Sequence, residues 1–553
     1  MAKHLLLCVC FTLLPQALNA QSVGGETNLL FQFDGTSYRN YMGSSVANAG
    51  DVNADGIPDV IVGARGAKPF WVDYVGSAFV YSGADGSLLH QFDGTHFYQF
   101  FGNSVDGAGD VDGDGHDDLI VGAYYTDWSG LDKAGAAFVY SGATGLLLYE
   151  YYGLTDVDLM GISVAGAGDV NGDGRADFII GANYADPGGR TEAGTASVYS
   201  GIDGSLIYQF EGPNADDHLG HSVDGAGDVN ADGYADLIVG ATDGFSDDGY
   251  VNVYSGQDGT VIHHIGGFFD ETLGYAVSGA GDVDGDGYAD FIVSDTEQNG
   301  FAGLVQVYSG KTGALHFEVD GSLVEYKLGI SVSGAGDVNG DGFDDVIMGS
   351  QKGPGGRIYI YSGVDGTQLH QLVAAADYDH FGDSVSGAGD INQDGYADVI
   401  IGALNTDPSG VSDGGSAYIY AFNPYLTLST HSVSASSGGV INLSFNFPQT
   451  AASFAYKTLI SVTGTGPTTY GVDIPLTLDH VVRDSFFGNY LFPTYSDLHG
   501  TLDGNGSANG QISLPSGLPL IHVGRTFWMA AIANPSGGLP EFSSSVKAVT
   551  IEP

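Results

Sequence analysis

The chain has 553 residues and carries 67 Asp and Glu against 15 Lys and Arg, a formal charge of −52. That balance excludes a nucleic-acid binder and a protein that docks on an anionic membrane, since both need clustered Lys and Arg. With 43% apolar residues, 12% aromatic residues and 89 glycines, it reads as an all-β chain with a sizeable core and many tight turns, not as a disordered polyanion.

Residues 1–20 read as an export signal: Lys3 gives a positive start, Leu5 to Leu14 an apolar stretch, and Ala20 a small residue for cleavage. The apolar stretch is too short to cross a bilayer, which takes about 20 residues. No comparable run recurs, so the mature chain is expected to be secreted, extracellular or at the cell surface, without a transmembrane segment. Cys8 and Cys10 both fall in this leader, which leaves the mature chain without disulfides or thiolate ligands. Something else must brace an exported β-protein.

One phrase then returns seven times, for example SVDGAGDVDGDGHDDLIVGA at Ser104 to Ala123. Its first loop aspartates are Asp51, Asp110, Asp169, Asp228, Asp282, Asp337 and Asp390, at spacings of 59, 59, 59, 54, 55 and 53 residues. Each period offers four short strands: a Ser-Val segment, an apolar run such as Leu119 to Val121, a third segment such as Ala136 to Gly142, and a fourth such as Leu146 to Gly153. Four strands repeated seven times predict a seven-bladed β-propeller over 27–423. A linear solenoid is the rival, but solenoids need caps, whereas here the last period lacks its fourth strand. An orphan copy, LLFQFDGT at Leu29 to Thr36, matches LLHQFDGT at Leu88 to Thr95 and should close the ring. From Pro424 the repeat stops. Alternating segments such as Val440 to Phe447 and Phe527 to Ile532 predict a small Ig-like β-sandwich over 424–553.

Each repeat carries D-x-[DN]-x-D-G-x-x-D. Alternating oxygen donors suit a hard cation that takes 6–8 oxygens, and glycine at position 6 permits the sharp turn. The expected ligands are Asp51, Asn53, Asp55, Asp59 with the Ile57 carbonyl; Asp110, Asp112, Asp114, Asp118 with that of His116; and Asp169, Asn171, Asp173, Asp177 with that of Arg175. They continue as Asp228, Asn230, Asp232, Asp236 with Tyr234; Asp282, Asp284, Asp286, Asp290 with Tyr288; Asp337, Asn339, Asp341, Asp345 with Phe343; and Asp390, Asn392, Asp394, Asp398 with Tyr396. An EF-hand would place a bidentate Glu at position 12, where every copy here is apolar. Simple Asx turns need no fourth acceptor, and magnesium prefers fewer protein ligands. Up to seven Ca²⁺, one per blade, are therefore expected. The loops hold 25 acidic residues that would repel one another without a cation, and seven calcium ions would bring −52 to −38.

A second pair of elements flanks these loops. Phe-Gly occurs as Phe101-Gly102 and Phe381-Gly382, and in related form as Met42-Gly43, Met160-Gly161, Leu219-Gly220, Leu273-Gly274 and Leu328-Gly329. Gly-Ala follows the second strand at Gly63, Gly122, Gly181, Gly240 and Gly402, departing to Ser294-Asp295 and Gly349-Ser350. Over about 70% of its length the chain thus resembles the FG-GAP repeat of integrin α-subunit propellers and their exported bacterial relatives. The resemblance implies calcium loops on one face, ligands on the opposite face, and a role in extracellular recognition or cell adhesion. Integrin α chains also have disulfides, a membrane span and a β-subunit partner, none of which this sequence signals, so a monomer is expected.

On the opposite face the loops 64–76 and 123–135 are long and aromatic. Trp71, Tyr74, Tyr124, Tyr125 and Trp128 are the candidate ligand-binding residues, for a protein partner or a cell-surface glycan. The bland alternative is that these rings pack over neighbouring blades. No HExxH, GxSxG or P-loop occurs, and Gly-x-Ser-Val recurs as architecture rather than as a nucleophile elbow. The expectation is a binding module rather than an enzyme. A calcium-dependent lectin is the alternative, and a glycan-cleaving enzyme is the more remote one, since it would require an Asp/Glu/His/Tyr cluster unrelated to calcium.

Overall fold

The computed structural model describes residues 21–22, 25–69, 73–242, 249–267, 272–321, 326–351, 355–374, 376 and 378–424, and beyond these the backbone of twelve short strands between 426 and 552. Residues 1–20, the expected export signal, lie outside the described residues.

Seven four-stranded antiparallel sheets follow one another along the chain. The first is Met42–Gly50, Asp59–Ala64, Ser77–Tyr81 and Leu88–Asp93, paired in that order. The seventh takes Phe381–Gly389, Asp398–Ala403 and Ser416–Pro424 from the end of the repeat and its outer strand, Gly25–Asp34, from the start. Phe33 pairs with Ala417 and Leu29 with Tyr420, so the orphan strand closes the ring as the sequence predicts. Residues 21–22 add a short fifth strand to the sixth blade.

Hydropathy sets the position of each strand in its blade. The second strands, such as Asp118–Gly122, are buried at every residue because a neighbouring blade covers each face. The outer strands alternate, and Leu88 at their edge is half exposed. The core is therefore not central. It is a ring of seven layers between blades. In one, Phe92 of the first blade packs with Phe101, Leu119 and Phe138 of the second; in the closing layer, Phe33 and Ile400 meet Val60 and Val62.

The paired glycines explain the two flanking elements. A Cβ on Gly122 would lie 2.1 Å from the Gly161 carbonyl oxygen, and one on Gly63 would lie 2.0 Å from that of Gly102. The glycine of Gly-Ala in these blades thus receives the backbone of Phe-Gly in the next, a contact too close for a side chain, whereas the fifth blade carries Ser294 against Gly329. Serine hydroxyls supply a second stitch. Ser45, Ser104 and Ser163 accept the N–H of Val105, Val164 and Val223, each on the following blade and each at 3.1 Å.

After Pro424 the strands form two larger sheets. One orders 426–428, 439–446, 507–514 and 494–496; the other centres on 526–534 between 547–552 and 455–461. This is the strand complement of the predicted β-sandwich.

Candidate metal loops and the opposite face

Each Asp loop joins the first strand of a blade to the second, and its shape follows from its own side chains. In the first copy Asp51 accepts the N–H groups of Asp55 at 2.9 Å and Gly56 at 2.8 Å, while Asp55 accepts that of Ile57 at 2.9 Å. The same pattern recurs at Asp390, which accepts from Asp394 and Gly395 at 2.9 and 2.8 Å. Position 6 has a left-handed backbone, with φ of 85° at Gly56 and 92° at Gly233. A Cβ there would meet nothing within 4 Å, so the backbone angle and not space demands the glycine.

Carboxylate oxygens of Asp110, Asp112 and Asp114 lie within 4.8 Å of one another, as do those of Asp282, Asp284 and Asp290. In the other five loops position 3 is an asparagine. Position 9 is the most enclosed: Asp59, Asp118, Asp177, Asp236, Asp290, Asp345 and Asp398 are all 0% exposed. One oxygen of Asp118 accepts the Val111 N–H at 2.9 Å and the other that of Gly142 at 2.8 Å, tying the loop to the turn between the third and fourth strands. Burial pushes Asp59, Asp118, Asp177, Asp236 and Asp290 up to about 6 and Asp398 to about 7. The backbone N–H bonds oppose that rise, and nearby loop carboxylates such as Asp55 beside Asp59 add to it. Asp345 moves well above the carboxylate range for the same reason.

The donor set fits a hard cation. All side-chain ligands are oxygens, and Oδ1 of Asp110, Asn230 and Asp398, at positions 1, 3 and 9, is buried without a hydrogen-bond partner.

Two features of the loops escaped the sequence reading. The position 7 side chain, considered there only for its carbonyl, reaches back to the preceding loop: His116 Nδ1 lies 2.8 Å from the Val52 carbonyl, and a Cβ on Gly172 or Gly285 would strike the ring of Tyr234 or Phe343. The N–H of position 8 donates to the position 1 carbonyl of the loop before it, from Ala176 to Asp110, Ala235 to Asp169, Ala289 to Asp228 and Ala397 to Asp337. Asp117 and Asp344 add a carboxylate bond to the Asp51 and Asp282 N–H groups, at 2.7 and 2.9 Å. The loops are thus chained around the ring. The chain breaks between the seventh and first blades, where position 8 is Pro58 and has no N–H to give.

The opposite face is built from the segments after Gly-Ala and before Phe-Gly. Trp71 lies outside the described residues. Tyr74 stacks on Tyr98 at 5.2 Å, and Tyr124 and Tyr125 meet edge to face at 4.6 Å around Phe100. Lys68 Nζ lies 5.9 Å from the Tyr74 ring centre and Lys133 Nζ 5.2 Å from that of Tyr125. Trp128 lies flat on Tyr152, 3.7 Å between centres and 9° between planes, which is packing within its own blade. The structure also brings together a set that the sequence reading missed. The residue after Gly-Ala in one blade meets the residue after Phe-Gly in the next: Arg65 with Asn103 at 3.2 Å, Asn183 with His221 at 3.3 Å, and Gln351 with Asp383 at 3.5 Å. The Gly-Gly contact forces these neighbours together, and aligning the residue after each Gly-Ala with the residue after the next Phe-Gly would have exposed the pattern.

The FG-GAP repeat matches residues 42–81, 101–140, 160–199, 328–361 and 381–420, which fall in the first, second, third, sixth and seventh blades. Integrin alpha-V of Gallus gallus is 32% identical over 216 residues, covering 35% of this chain and 20% of the relative. Integrin alpha-5 of Xenopus laevis is 30% identical over 217 residues, covering 36% and 20%, and integrin alpha-4 of the same species 32% over 242 residues, covering 40% and 23%. The chain spans about a fifth of the length of these relatives. Among the described residues no helix is long and apolar enough to cross a membrane.

Proposed function

This chain is an FG-GAP repeat protein with a propeller like that of integrin α subunits, and from that premise we propose that it is an exported calcium-binding recognition module for cell adhesion, without catalytic activity. In this reading residues 1–20 direct export, the propeller at 27–423 holds one Ca²⁺ in each Asp loop, and 424–553 is a separate domain. The ligands are the residues named above at positions 1, 3, 5 and 9, with the carbonyl at position 7. Calcium would turn mutually repelling carboxylates into a brace that a disulfide-free chain otherwise lacks.

One observation carries the proposal: the two faces of the ring obey different rules. The Asp-loop face repeats Asp at positions 1, 5 and 9 and Gly at position 6 in all seven blades, as a structural metal demands. At the other end of the strands the corresponding positions are Arg65, Tyr124, Asn183, Thr242, Thr296, Gln351 and Leu404, six residue types in seven positions. Variation on a rigid scaffold is how recognition surfaces are made. The partner is proposed to be an extracellular protein at a cell surface, engaged by a monomer, with Tyr74, Tyr124 and Tyr125 beside Lys68, Lys133 and Arg65 as its footprint.

The test is calorimetric titration of the mature chain with calcium, followed by adhesion of cells to the immobilised protein in calcium and in chelator. Calcium uptake together with calcium-dependent adhesion supports the reading. Absence of calcium uptake removes its metal half, and adhesion that survives Arg65→Ala with Tyr124→Ala removes the assigned face.

A further inference from the structure

The blades are equivalent, so a place where one of them leaves a space that another fills calls for a reason. The third residue of the third strand faces the preceding blade and reads Phe79, Phe138, Ser197, Asn252, Gln306, Tyr359 and Tyr418 around the ring. In the second blade Phe138 fills this slot with Tyr152, 6.1 Å away edge to face, and Trp128 closes over Tyr152. In the third blade the equivalents of Phe138 and Tyr152 are Ser197 and Glu211, which pair with Ile180 and Thr195 as Phe138 and Tyr152 pair with Val121 and Ala136. The slot is left as a cavity of about 490 Å³ between the second and third blades. That size lies within the ~300–1,000 Å³ typical of small-molecule sites.

The cavity walls specify the chemistry of an occupant. Tyr151 and Tyr199, packed on each other at 4.0 Å between ring centres, line the cavity with aromatic carbon, and Ser197, Gln209 and Glu211 add polar groups. Leu154, 85% exposed, stands at the rim. The charged groups here are already engaged. Glu211 is paired with Arg190 at 2.6 Å, Asp158 accepts the N–H groups of Leu154 and Thr155 at 2.7 and 2.8 Å, and Asp186 accepts that of Glu192 at 2.7 Å. What remains for a ligand is neutral: aromatic carbon, the Ser197 hydroxyl and the Gln209 amide, since the Tyr151 hydroxyl already donates to the Gly204 carbonyl at 2.8 Å. An anion would also enter against those three carboxylates. An apolar molecule would strip water from Gln209 and Ser197 without replacing its hydrogen bonds. A pyranose ring meets both demands, with C–H groups for the aromatic carbon and hydroxyls for the polar groups.

We propose that the cavity between the second and third blades binds a neutral saccharide, seated against Tyr151 and Tyr199 and hydrogen-bonded by Ser197 and Gln209. The site is separate from the Asp loops and shares no residue with the footprint of Arg65, Tyr74 and Tyr124, although its rim segments before Met160 and after Ala182 belong to the same face of the ring, and it stands whether or not the adhesion reading does.

The test is calorimetry of the mature full-length chain, in calcium, against maltotriose, cellotriose, xylotriose and laminaritriose, with trigalacturonate as the anionic control. Binding of at least one neutral trisaccharide is expected, without binding of trigalacturonate. Ser197→Phe installs the filling of the second blade and should abolish it. Gln209→Ala, at an exposed position that cannot endanger folding, should weaken it by about tenfold, the equivalent of one good hydrogen bond. Silence from all four neutral sugars, preference for trigalacturonate, or undiminished binding by Gln209→Ala would each overturn the proposal.

Discussion

The backbone N–H of Val46 donates to the hydroxyl of Ser384 at 2.9 Å, across 338 residues of sequence. This is the same stitch that Ser45 makes to Val105 and Ser331 makes to Val385, here joining the seventh blade to the first. Ser384→Ala leaves a buried donor without a partner, which costs about 1–3 kcal/mol. The expected result is a fall in Tm of several degrees in thermal unfolding, with the ring intact. A Tm unchanged from the parent would mean that the stitch contributes nothing to closure. The fifth blade, which carries Ala276 where the others carry this serine, shows that the ring tolerates one missing stitch.

The glycine pairs are tighter, with one exception in the fifth blade, which carries Ser294 at this position, facing Gly329. A methyl on Gly122 would sit 2.1 Å from a backbone oxygen that belongs to another blade, so relief requires moving a whole blade. Gly122→Ala is expected to destabilise the fold by more than 3 kcal/mol, of the order of overpacking costs at their upper end. Gly115→Ala is the contrast: its Cβ meets nothing within 4 Å, and only its φ of 89° resists, a strain of about 1–2 kcal/mol. Comparing the two Tm values in chelator, where metal affinity plays no part, separates contact from strain. Equal losses would refute the contact argument.

The seven-bladed ring and its closing strand were legible in the sequence because each blade repeats its Asp loop and its strand pattern, and because Leu29 to Thr36 duplicates Leu88 to Thr95. The loop acceptors were legible for the same reason. What could not be read was anything that depends on the relation between blades. Asp117 looks like a spare carboxylate in its own loop, yet its partner is the Asp51 N–H of the preceding blade. Trp128 looks like an exposed recognition ring and is 40% exposed, yet one of its faces is covered by Tyr152, 24 residues later in the chain. Periodicity specifies what each blade contains, whereas contacts across the 59-residue offset appear only once the ring is closed.

The buried position 9 carboxylates set opposite pH responses with and without calcium. Their pKa is pushed from the ordinary 3.8 up to about 6 at Asp59, Asp118, Asp177, Asp236 and Asp290, and to about 7 at Asp398. A raised carboxyl pKa means that the metal-free fold resists the charged form. That penalty is in full force above about pH 7, fades as the pH falls through 7 to 6, and is gone near 4. In chelator, Tm should therefore rise as the pH is lowered from 8 to 5. In calcium the ion takes the charged form, protons compete with it, and Tm should fall over the same range. Thermal scans at four pH values in each condition check this, and parallel curves would sink the assignment of these residues as ligands.

Trp128 and Arg65 separate packing from recognition on the face away from the Asp loops. Trp128 lies flat on Tyr152 at 3.7 Å, an aromatic pair worth about 0.5–1.5 kcal/mol beyond its area. Arg65 spends its guanidinium on the neutral Asn103 side chain at 3.2 Å, and among the described residues it has no ion-pair partner, so the fold gains little from it. Trp128→Ala should lower Tm by a few degrees and leave adhesion of the folded protein unchanged. Arg65→Ala should leave Tm within about a degree, as surface substitutions do, and reduce adhesion severalfold. Thermal unfolding and cell adhesion measured on the same two preparations decide the matter. The reverse pattern, with adhesion lost from the tryptophan variant alone, would move the recognition surface from the Arg65–Asn103 pair to the outer edge of the second blade.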